Sequence, residues 1–370
     1  MTDHVKLFIP GPGDVEADVL AAMAEPVQRH YGPEWIATYT EAQTLLRQIF
    51  GTSNDLFIAP GPASAMLDMG LGSLMPNGSK IIVGQNGFFG DRLTEIAEAH
   101  ALTVVPFPAA IGEPLDPDVL RTVCARNPDA RVVAIVHHET GTTVLNPLRE
   151  LAEVARQAGR VVVVDAVSSL GGVELPVDTW GIDMCVTASN KCLEGPAGMG
   201  FISVSPRAWE LVDSHPGVGH GWYLNLRTWR QYAREWSAWH PTPVTVSSNT
   251  LLGVLVSLRA IVRVGMPAQV AKYARAGRTA REGFSKMGFS PYVPEAFAAP
   301  MVTAFHARPE FTVAEFTKWL LEERHIAISG GLADLAGKIF RIGHLGKASS
   351  DEYLTELLDA VKEFLRGRGL

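Results

Sequence analysis

Cysteine, clustered charge and long apolar runs are all scarce in this sequence, and each scarcity excludes a class of protein. Three cysteines in 370 residues, with no CxxC pair, are neither a disulfide framework nor a zinc pattern. Lys and Arg number 32 against 39 Asp and Glu, and without a basic block we expect no nucleic-acid or membrane partner. Apolar runs such as 161–164 are strand-sized, far short of a membrane span. No targeting pattern opens the chain, so we expect a cytoplasmic protein.

What the sequence does contain is a regular alternation of two patterns between about residues 45 and 205. Hydrophobic residues make up 47% of the chain, enough for a large core. Short β-branched runs, apolar on both faces, alternate with helix-period stretches, which is typical of a mostly parallel sheet covered by helices. The sequence therefore predicts an α/β fold. The predicted strands are 56–59, 80–84, 102–106, 131–136, 161–165, 184–187 and 200–204, and the predicted helices are 63–74, 91–100, 116–126 and 148–158.

The C-terminal part has a different pattern. Residues 221–240 hold four of the eight tryptophans, and a single long helix is predicted over 249–287. The elements predicted after it are a strand at 301–306, a helix at 313–323, strands at 326–329 and 338–342 and a helix at 351–366. This order predicts a small α+β domain that begins near residues 250–265.

An aspartate and a lysine at the ends of two predicted strands form the most informative pair. Asp165 ends the run VVVVD, at the sheet edge where open α/β folds bind ligands. Lys191 follows the next strand, in VTASNKCLEG, and a desolvated lysine there would favour its neutral, nucleophilic amine. Taken alone, the first is more often a turn cap and the second a loop lysine. Together they can serve one pyridoxal phosphate, at its ring nitrogen and its aldehyde carbon.

Four further motifs are weaker signals. The stretch APGPASAMLDMG places a Gly/Pro turn before a helix, whose free N–H groups can bind a phosphate, although many strand–helix turns look similar. NGFFG offers Phe88 and Phe89 either for stacking on a flat ring or for core packing. HHETGTT has no metal-ligand spacing, so we expect no metal site. In FRIGHLG, Arg341 pairs with a carboxylate of either a substrate or, more commonly, the protein itself, and the role of His344 stays open.

Together these motifs resemble the class V, fold-type I pyridoxal-phosphate aminotransferases, and within them the alanine/serine–glyoxylate (serine–pyruvate) group. The likeness extends from FIPGPGDV to RIGHLG and is most specific in VDAVSSLGGVELPVD, TASNKCLEGPAGMGF and HHETGTTVLNPL. It implies an α/β fold of this type, with a mostly parallel seven-stranded sheet in a large domain of residues 21–255. A small C-terminal α+β domain of residues 256–370 and an N-terminal arm of residues 1–20, reaching the active site and the dimer, would complete it.

The resemblance also implies roles for individual residues. Lys191 would be the covalent anchor of pyridoxal 5′-phosphate and the carrier of the substrate proton, and Asp165 the partner of the ring nitrogen. Phe89 and Val167 would lie against the two ring faces, with Thr140 near the ring hydroxyl. The other residues implied to bind the cofactor are Asn190, Gly61, Pro62 and Ala63 and, from the second subunit of a homodimer, Trp239 and Thr242.

Substrate binding is implied for Gly13 and Arg341, the latter as a clamp on the α-carboxylate. Two positions depart from the family pattern. The phosphate turn reads Pro-Gly-Pro-Ala where relatives have Gly-Ser-Gly and a further donor, so Ser64 or Thr242 would have to compensate. Phe89 stands where relatives often carry Trp or Tyr, a change that preserves stacking.

These expectations leave several activities open. The first is ping-pong transamination between alanine or serine and a small 2-oxo acid, glyoxylate or pyruvate. The alternatives are 2-aminoethylphosphonate–pyruvate and pyridoxamine–pyruvate transamination. A cysteine desulfurase or related lyase ranks lower, because Asn190 replaces the expected His before the lysine and Cys192 does not lie on a mobile loop. A scaffold protein without activity would not need Lys191, Asp165 and Arg341 together.

Overall fold

The computed structural model describes residues 4–217, 219 and 221–370. The helices, numbered in chain order, are α1 (Ala17–Met23), α2 (Pro33–Phe50), α3 (Ala63–Leu74), α4 (Phe88–Ala99), α5 (Pro117–Arg126), α6 (Leu148–Gln157), α7 (Val177–Trp180), α8 (Pro206–Asp213), α9 (Leu226–Glu235), α10 (Ser248–Val264), α11 (Met266–Lys286), α12 (Val313–Arg324) and α13 (Asp351–Gly367). The strands are β1 (Lys6–Leu7), β2 (Asp55–Pro60), β3 (Lys80–Gln85), β4 (Thr103–Pro108), β5 (Val132–Val136), β6 (His138–Glu139), β7 (Val144–Leu145), β8 (Val161–Asp165), β9 (Met184–Ala188), β10 (Met199–Val204), β11 (Val302–His306), β12 (Ile326–Ala327), β13 (Ser329–Gly330) and β14 (Ile339–Gly343).

The central sheet has seven strands in the order β2-β10-β9-β8-β5-β3-β4. Strand β10 runs antiparallel to β2 and β9, and the other neighbours are parallel. The expectation of a mostly parallel seven-stranded sheet is therefore confirmed, and each of its strands overlaps one of the predicted apolar runs.

Two hydrophobic cores lie on the two faces of this sheet. Alternate residues of one strand belong to different cores. Val161 and Val163 of β8 lie in the core under α3, α8 and α9. Val162 and Val164 lie in the core under α2, α5, α6 and α10. A strand that is buried on both faces must be apolar at every position, which explains the unbroken run VVVV.

The C-terminal elements form a second, smaller layer. Strands β11, β14 and β13 make an antiparallel sheet that packs with α11, α12 and α13 around a cluster of phenylalanines. The first residues of the chain join this layer, because β1 pairs in parallel with β12 and the Gly343 N–H donates to Phe8 O at 2.7 Å. The N-terminal segment thus connects the small sheet to the central one.

The prediction of a single long helix over 249–287 is wrong. The chain bends by 97° between α10 and α11, at Gly265, whose φ of +83° lies in the left-handed region. Pro267 then occupies the first turn of α11, where its missing N–H costs nothing. The strand predicted at 326–329 is likewise two short strands, one pairing with β1 and the other with β14.

Within the described residues, no single helix is long and apolar enough to cross a membrane. The α10–α11 pair reaches the required length and composition only when its two bent halves are taken together. Helix α10 packs against α1 and α2.

Candidate active site

A cavity of about 250 Å³ lies where β5, β8 and β9 end and α3 and α4 begin. Ligands bind at this carboxyl edge in open α/β sheets because the strand ends and helix N-termini meet there. The cavity collects most of the residues proposed from the sequence, although their side chains come from five separate segments of the chain. The proposed residues that line it are Pro62, Ala63, Phe89, Thr140, Asp165, Val167, Asn190 and Lys191.

Asp165 presents an oriented carboxylate to this cavity from the end of β8. It is 7% exposed, and its Oδ1 accepts the Val167 N–H at 2.9 Å. Burial raises the pKa of Asp165 to about 6, opposed by that hydrogen bond and by the positive charges of Lys191 and Arg92. Among the described residues none donates to its Oδ2. A cationic ring N–H would satisfy both this oxygen and the buried charge.

Lys191 lies in the turn after β9, beside Asn190. Its Nζ donates to the carbonyl oxygen of Pro10, which brings the N-terminal segment over the lysine. Burial lowers the pKa of Lys191, and the nearby Cys192 and Asp165 oppose that shift. Gly11, with a φ of +127°, has no room for a side chain, because a Cβ there would collide with Nζ. The result is a desolvated amine with a raised neutral fraction.

The start of α3 is the candidate phosphate cradle, and only part of it is available. The Gly61 N–H already donates to Gly198 O at 2.9 Å, and Pro62 has no N–H. The N–H groups of Ala63 and Ser64 and the Ser64 hydroxyl meet no acceptor in the described part of the chain. Of the three turn residues proposed from the sequence, only Ala63 therefore offers an N–H to an anion, and Ser64 supplies a second one and a hydroxyl.

Arg341 lies on β14 at the other side of the site and has no ion-pair partner among the described residues. It is 5% exposed, and it donates from Nε to Gly330 O at 2.9 Å and from Nη1 to Thr140 O at 3.0 Å. Burial lowers the pKa of Arg341 to about 10, opposed by the charge of Glu139. The protein carboxylate that commonly pairs with a buried arginine is absent from the described contacts, so its remaining N–H groups are available to a ligand.

Besides Gly61 and Arg341, which are described above, Gly13, Trp239, Thr242 and His344 lie outside the lining. Gly13 is adjacent to it and donates its N–H to Asn190 O at 3.1 Å. Trp239 is half exposed, and Thr242 is buried and donates from Oγ1 to Val244 O at 2.9 Å. His344 hydrogen bonds to Thr303 at 2.9 Å through Nε2, so the structure gives it a packing position rather than a place in the cavity.

Sequence reasoning missed three polar residues at the site. Arg92 lines the cavity with its guanidinium carbon 4.9 Å from the centroids of Phe88 and Phe89, and the described residues give it no hydrogen bond or ion pair. His138 also lines the cavity, and its Nδ1 lies 3.0 Å from Ser168 O; burial lowers the pKa of His138 to about 4. Glu139 is fully buried beside Phe89.

Two of these residues stood in a motif already noted. The pattern HHETGTT indicates no metal site and, through the resemblance, a role for Thr140, but it does not indicate that Glu139 is buried or that His138 lines the cavity. Arg92 lies four residues after Phe88 and three after Phe89 on helix α4, a spacing that places it beside both rings. Periodicity around the aromatic pair was the signal that would have found it.

The donor set fits pyridoxal phosphate and gives no sign of a metal centre. A carboxylate with an unpartnered oxygen, a desolvated amine, an aromatic ring and two free helix N–H groups correspond to the ring nitrogen, aldehyde, ring face and phosphate of that cofactor. Within the described residues, no three His, Cys, Asp or Glu side chains are grouped to hold a metal ion. All three cysteines are buried free thiols.

Comparison with known proteins gives concordant matches. The model of the family described as Aminotransferase class-V matches residues 18–344. An uncharacterized aminotransferase of Methanocaldococcus jannaschii is 33% identical over 357 residues, 96% of this chain and 92% of that protein. A 2-aminoethylphosphonate–pyruvate transaminase of Pseudomonas fluorescens is 32% identical over 83% of this chain and 81% of its own length. The crystal structure of an alanine–glyoxylate aminotransferase from Nostoc sp. superposes with a TM-score of 0.94 at 28% identity, covering 99% of this chain and 96% of that one.

Proposed function

The chain belongs to the class V aminotransferases, which use pyridoxal phosphate, and on that premise we propose that it transfers the amino group of alanine or serine to glyoxylate or pyruvate. The observation that carries the proposal is that Lys191 and Asp165 line one cavity, while Arg341, which has no counter-ion among the described residues, donates to the carbonyl oxygen of Thr140 in the lining of that cavity. The similarity to an alanine–glyoxylate aminotransferase over nearly the whole chain supports the choice of substrates.

Each residue then has a physical task. Pyridoxal phosphate, when bound, supplies an electron-withdrawing ring that makes the α-proton of an amino acid removable. The lowered pKa of Lys191 gives it a neutral amine that can take that proton and return it to a neighbouring carbon. Asp165 holds the proton of the ring nitrogen, and Arg341 fixes the substrate carboxylate and so orients its Cα.

The remaining proposed contacts hold the cofactor in place. Phe89 and Val167 would pack against its ring, while Thr140 and Asn190, which line the same cavity, would lie near its polar edge. Ala63 and Ser64 would donate to the phosphate at the start of α3, and Gly61 and Pro62 shape the turn without a free N–H.

A second donor, 2-aminoethylphosphonate, is favoured by one observation. The cavity is also lined by Arg92, which forms no ion pair in the described part of the chain, although its charge acts on Asp165, and an acidic group of a ligand could pair with it. A phosphonate would provide that group, and a relative with this activity is 32% identical to the chain. Arg92 is thus the residue that distinguishes the two donors.

The experiment that tests the proposal is a matrix of amino donors and 2-oxo acceptors with the purified enzyme. Alanine, serine, aspartate, 2-aminoethylphosphonate and pyridoxamine are each combined with glyoxylate, pyruvate and 2-oxoglutarate. We expect the highest kcat/KM for alanine or serine with glyoxylate or pyruvate, and no turnover by Lys191→Ala. A preference for the phosphonate donor, or sulfide release from cysteine, would replace the proposal.

We also propose a cytoplasmic homodimer with shared sites. Support comes from an exposed aromatic patch in which Trp239 lies 5.3 Å from Tyr31 and 5.5 Å from Trp236, ring centroid to centroid. Such a patch is typical of an interface, and from it Trp239 would reach the partner's phosphate, with the buried Thr242 three residues later in the chain. Sedimentation velocity that finds a monomer at micromolar concentration contradicts this proposal. The three free thiols are compatible with a reducing compartment.

A further inference from the structure

Glu139 is a buried acid to which the proposed mechanism gives no task. It is 0% exposed, and its carboxylate accepts three backbone N–H groups. Oε2 accepts from Phe89 at 3.0 Å and from Gly90 at 3.1 Å, and Oε1 accepts from Gly141 at 2.9 Å. Two of these donors are in the first turn of α4, whose N-cap Gly87 has no side chain to cap it. Glu139 therefore caps α4 from a distant segment of the chain.

The surrounding backbone leaves space for this carboxylate and for little else. A Cβ at Gly87 would lie 2.6 Å from Cγ of Glu139, and a Cβ at Gly141 would lie 2.9 Å from its Oε1. The two glycines flank the carboxylate from opposite segments. A glutamine at position 139 would fit the same space, but its amide nitrogen would face an N–H group that needs an acceptor.

The same turn contacts the arginine on the opposite side of the cavity. Thr140 follows Glu139, and its carbonyl oxygen accepts the Arg341 Nη1–H at 3.0 Å. The turn is fixed by two further bonds to Glu139 O, from the N–H of Thr142 at 3.2 Å and of Thr143 at 2.7 Å. Displacement of Glu139 would therefore move both the aromatic ring of Phe89 and the acceptor that orients Arg341.

We propose that Glu139 is a positioning residue that couples the cofactor-stacking ring of Phe89 to the carboxylate clamp of Arg341 through one hydrogen-bonded turn. The inference rests on the roles proposed above for Phe89 and Arg341. It adds a residue that touches neither cofactor nor substrate and acts only through these two. Its loss should impair ring stacking and carboxylate recognition together, while the covalent chemistry of Lys191 persists.

The test compares Glu139→Gln with Glu98→Gln, a matched change of an exposed glutamate on α4, the helix that Glu139 caps. Both proteins are reconstituted with pyridoxal phosphate at pH 8. The first readout is the visible circular dichroism of the bound cofactor, which reports its asymmetric stacking. The second is the Kd of 2-methylalanine, which carries an α-carboxylate but no α-proton, against that of isopropylamine, which has the same carbon frame without the carboxylate.

For Glu139→Gln we expect a dichroic band at least halved and a Kd for 2-methylalanine raised on the order of tenfold, as for one lost hydrogen bond to a charged group. The Kd of isopropylamine should stay within about twofold, because Arg341 does not contact it. A general loss of native structure would weaken the binding of both amines equally, and this result would overturn the inference. Unchanged dichroism with both Kd values equal to those of Glu98→Gln would overturn it as well.

Glu139→Asp keeps the negative charge but shortens the reach, and intermediate values in both readouts are expected for it. If the Gln variant does not fold, the Asp variant is measured by the same criteria. Failure of the proposed transamination is a separate result: the wild-type enzyme would then bind the cofactor and 2-methylalanine but turn over no donor–acceptor pair.

Discussion

Two helices, α3 and α4, begin at the same cavity and treat their N-termini in opposite ways. At α3 the N-cap is Pro62, no side chain caps the helix, and the N–H groups of Ala63 and Ser64 have no acceptor among the described residues. At α4 the N-cap is Gly87, and the protein's own Glu139 accepts the N–H groups of Phe89 and Gly90. Each N-terminus carries the equivalent of roughly half a positive charge.

This difference indicates that the N-terminus of α3 is suited to bind a ligand and that of α4 to position a side chain. A helix start that the protein leaves without an anion can bind the anion of a ligand, and we propose that this anion is the cofactor phosphate. A helix start that the protein fills with its own carboxylate is rigid, and α4 uses that rigidity to hold an aromatic ring. Two strand–helix turns with similar sequences therefore have different functions, and the buried carboxylate of Glu139 at α4 distinguishes them.

The largest effect is expected when α3 is made to resemble α4. Ser64→Glu places a carboxylate at the free N–H groups, where it would occupy them and repel the phosphate. We expect the Kd of pyridoxal phosphate to rise on the order of a thousandfold, measured by fluorescence titration of the apoprotein. Ser285→Glu, on the exposed face of α11, is the control. Equal affinities of the two variants would show that the phosphate does not bind at α3.

The acid at α4 should make stability depend on pH. Burial raises the pKa of Glu139 from 4.5 to about 7, although its three backbone hydrogen bonds oppose the shift. Between these values the unfolded chain releases a proton that the folded protein keeps, so the wild-type free energy of unfolding falls as pH rises from 4.5 to 7. Relative to Glu139→Gln, the fall should be about 3 kcal/mol.

Urea unfolding of both apoproteins at pH 4.5, 5.5 and 7.5 measures this difference directly. Because the Gln variant cannot titrate at position 139, the other ionisable groups cancel in the comparison. A difference in unfolding free energy that stays constant over this range would mean that the carboxyl of Glu139 keeps its ordinary pKa.

A smaller effect is expected when one donor is removed from α3 without adding charge. Ala63 is the first residue of the helix, and Pro62 before it has φ −74° and ψ 161°, a conformation compatible with a following proline. Ala63→Pro should preserve α3 and raise the Kd of pyridoxal phosphate about tenfold, through loss of one charged hydrogen bond. Ala17→Pro, at the equivalent first position of α1, serves as the matched control.

The smallest effect is expected when Thr242 of the second subunit, which could replace the missing donors of the phosphate turn, is removed. Thr242 uses its hydroxyl within its own subunit, as donor to Val244 O, so its contribution to a neighbouring phosphate should be weak. We expect Thr242→Ala to raise the Kd of the cofactor about threefold in the dimer. This increase is smaller than the one expected from the loss of one full hydrogen bond to a charged group. If the increase equals that of the remote variant Thr317→Ala, the missing donors of the turn are not replaced by Thr242.

Much of the fold was predictable from the sequence because two-sided burial leaves a strong pattern. The run VVVV before Asp165 can be satisfied only in a strand covered on both faces, and α3 begins and ends where its periodicity predicts. The bend at Gly265 was missed because one glycine in an otherwise helical pattern is usually tolerated, and only packing decides whether the helix continues.

The site was predictable where chemistry requires a rare residue type at a fixed place. Lys191 and Asp165 were found from strand ends, and the structure brings both to one cavity. The occupied N–H of Gly61 and the capping role of Glu139 were not predictable, because each depends on a hydrogen bond between distant segments: residue 61 with 198, and 139 with 89. A single sequence without structure carries no record of such pairings.

The pairing of β1 with β12 imposes an order on folding. Lys6 and Leu7 are synthesised 320 residues before their partners Ile326 and Ala327. Until then the segment that brings Pro10 to Lys191 has no strand to dock on, while the seven strands of the central sheet are already complete. The central sheet can therefore form before β12 is made, whereas the segment that brings Pro10 to Lys191 docks only after β12 is available.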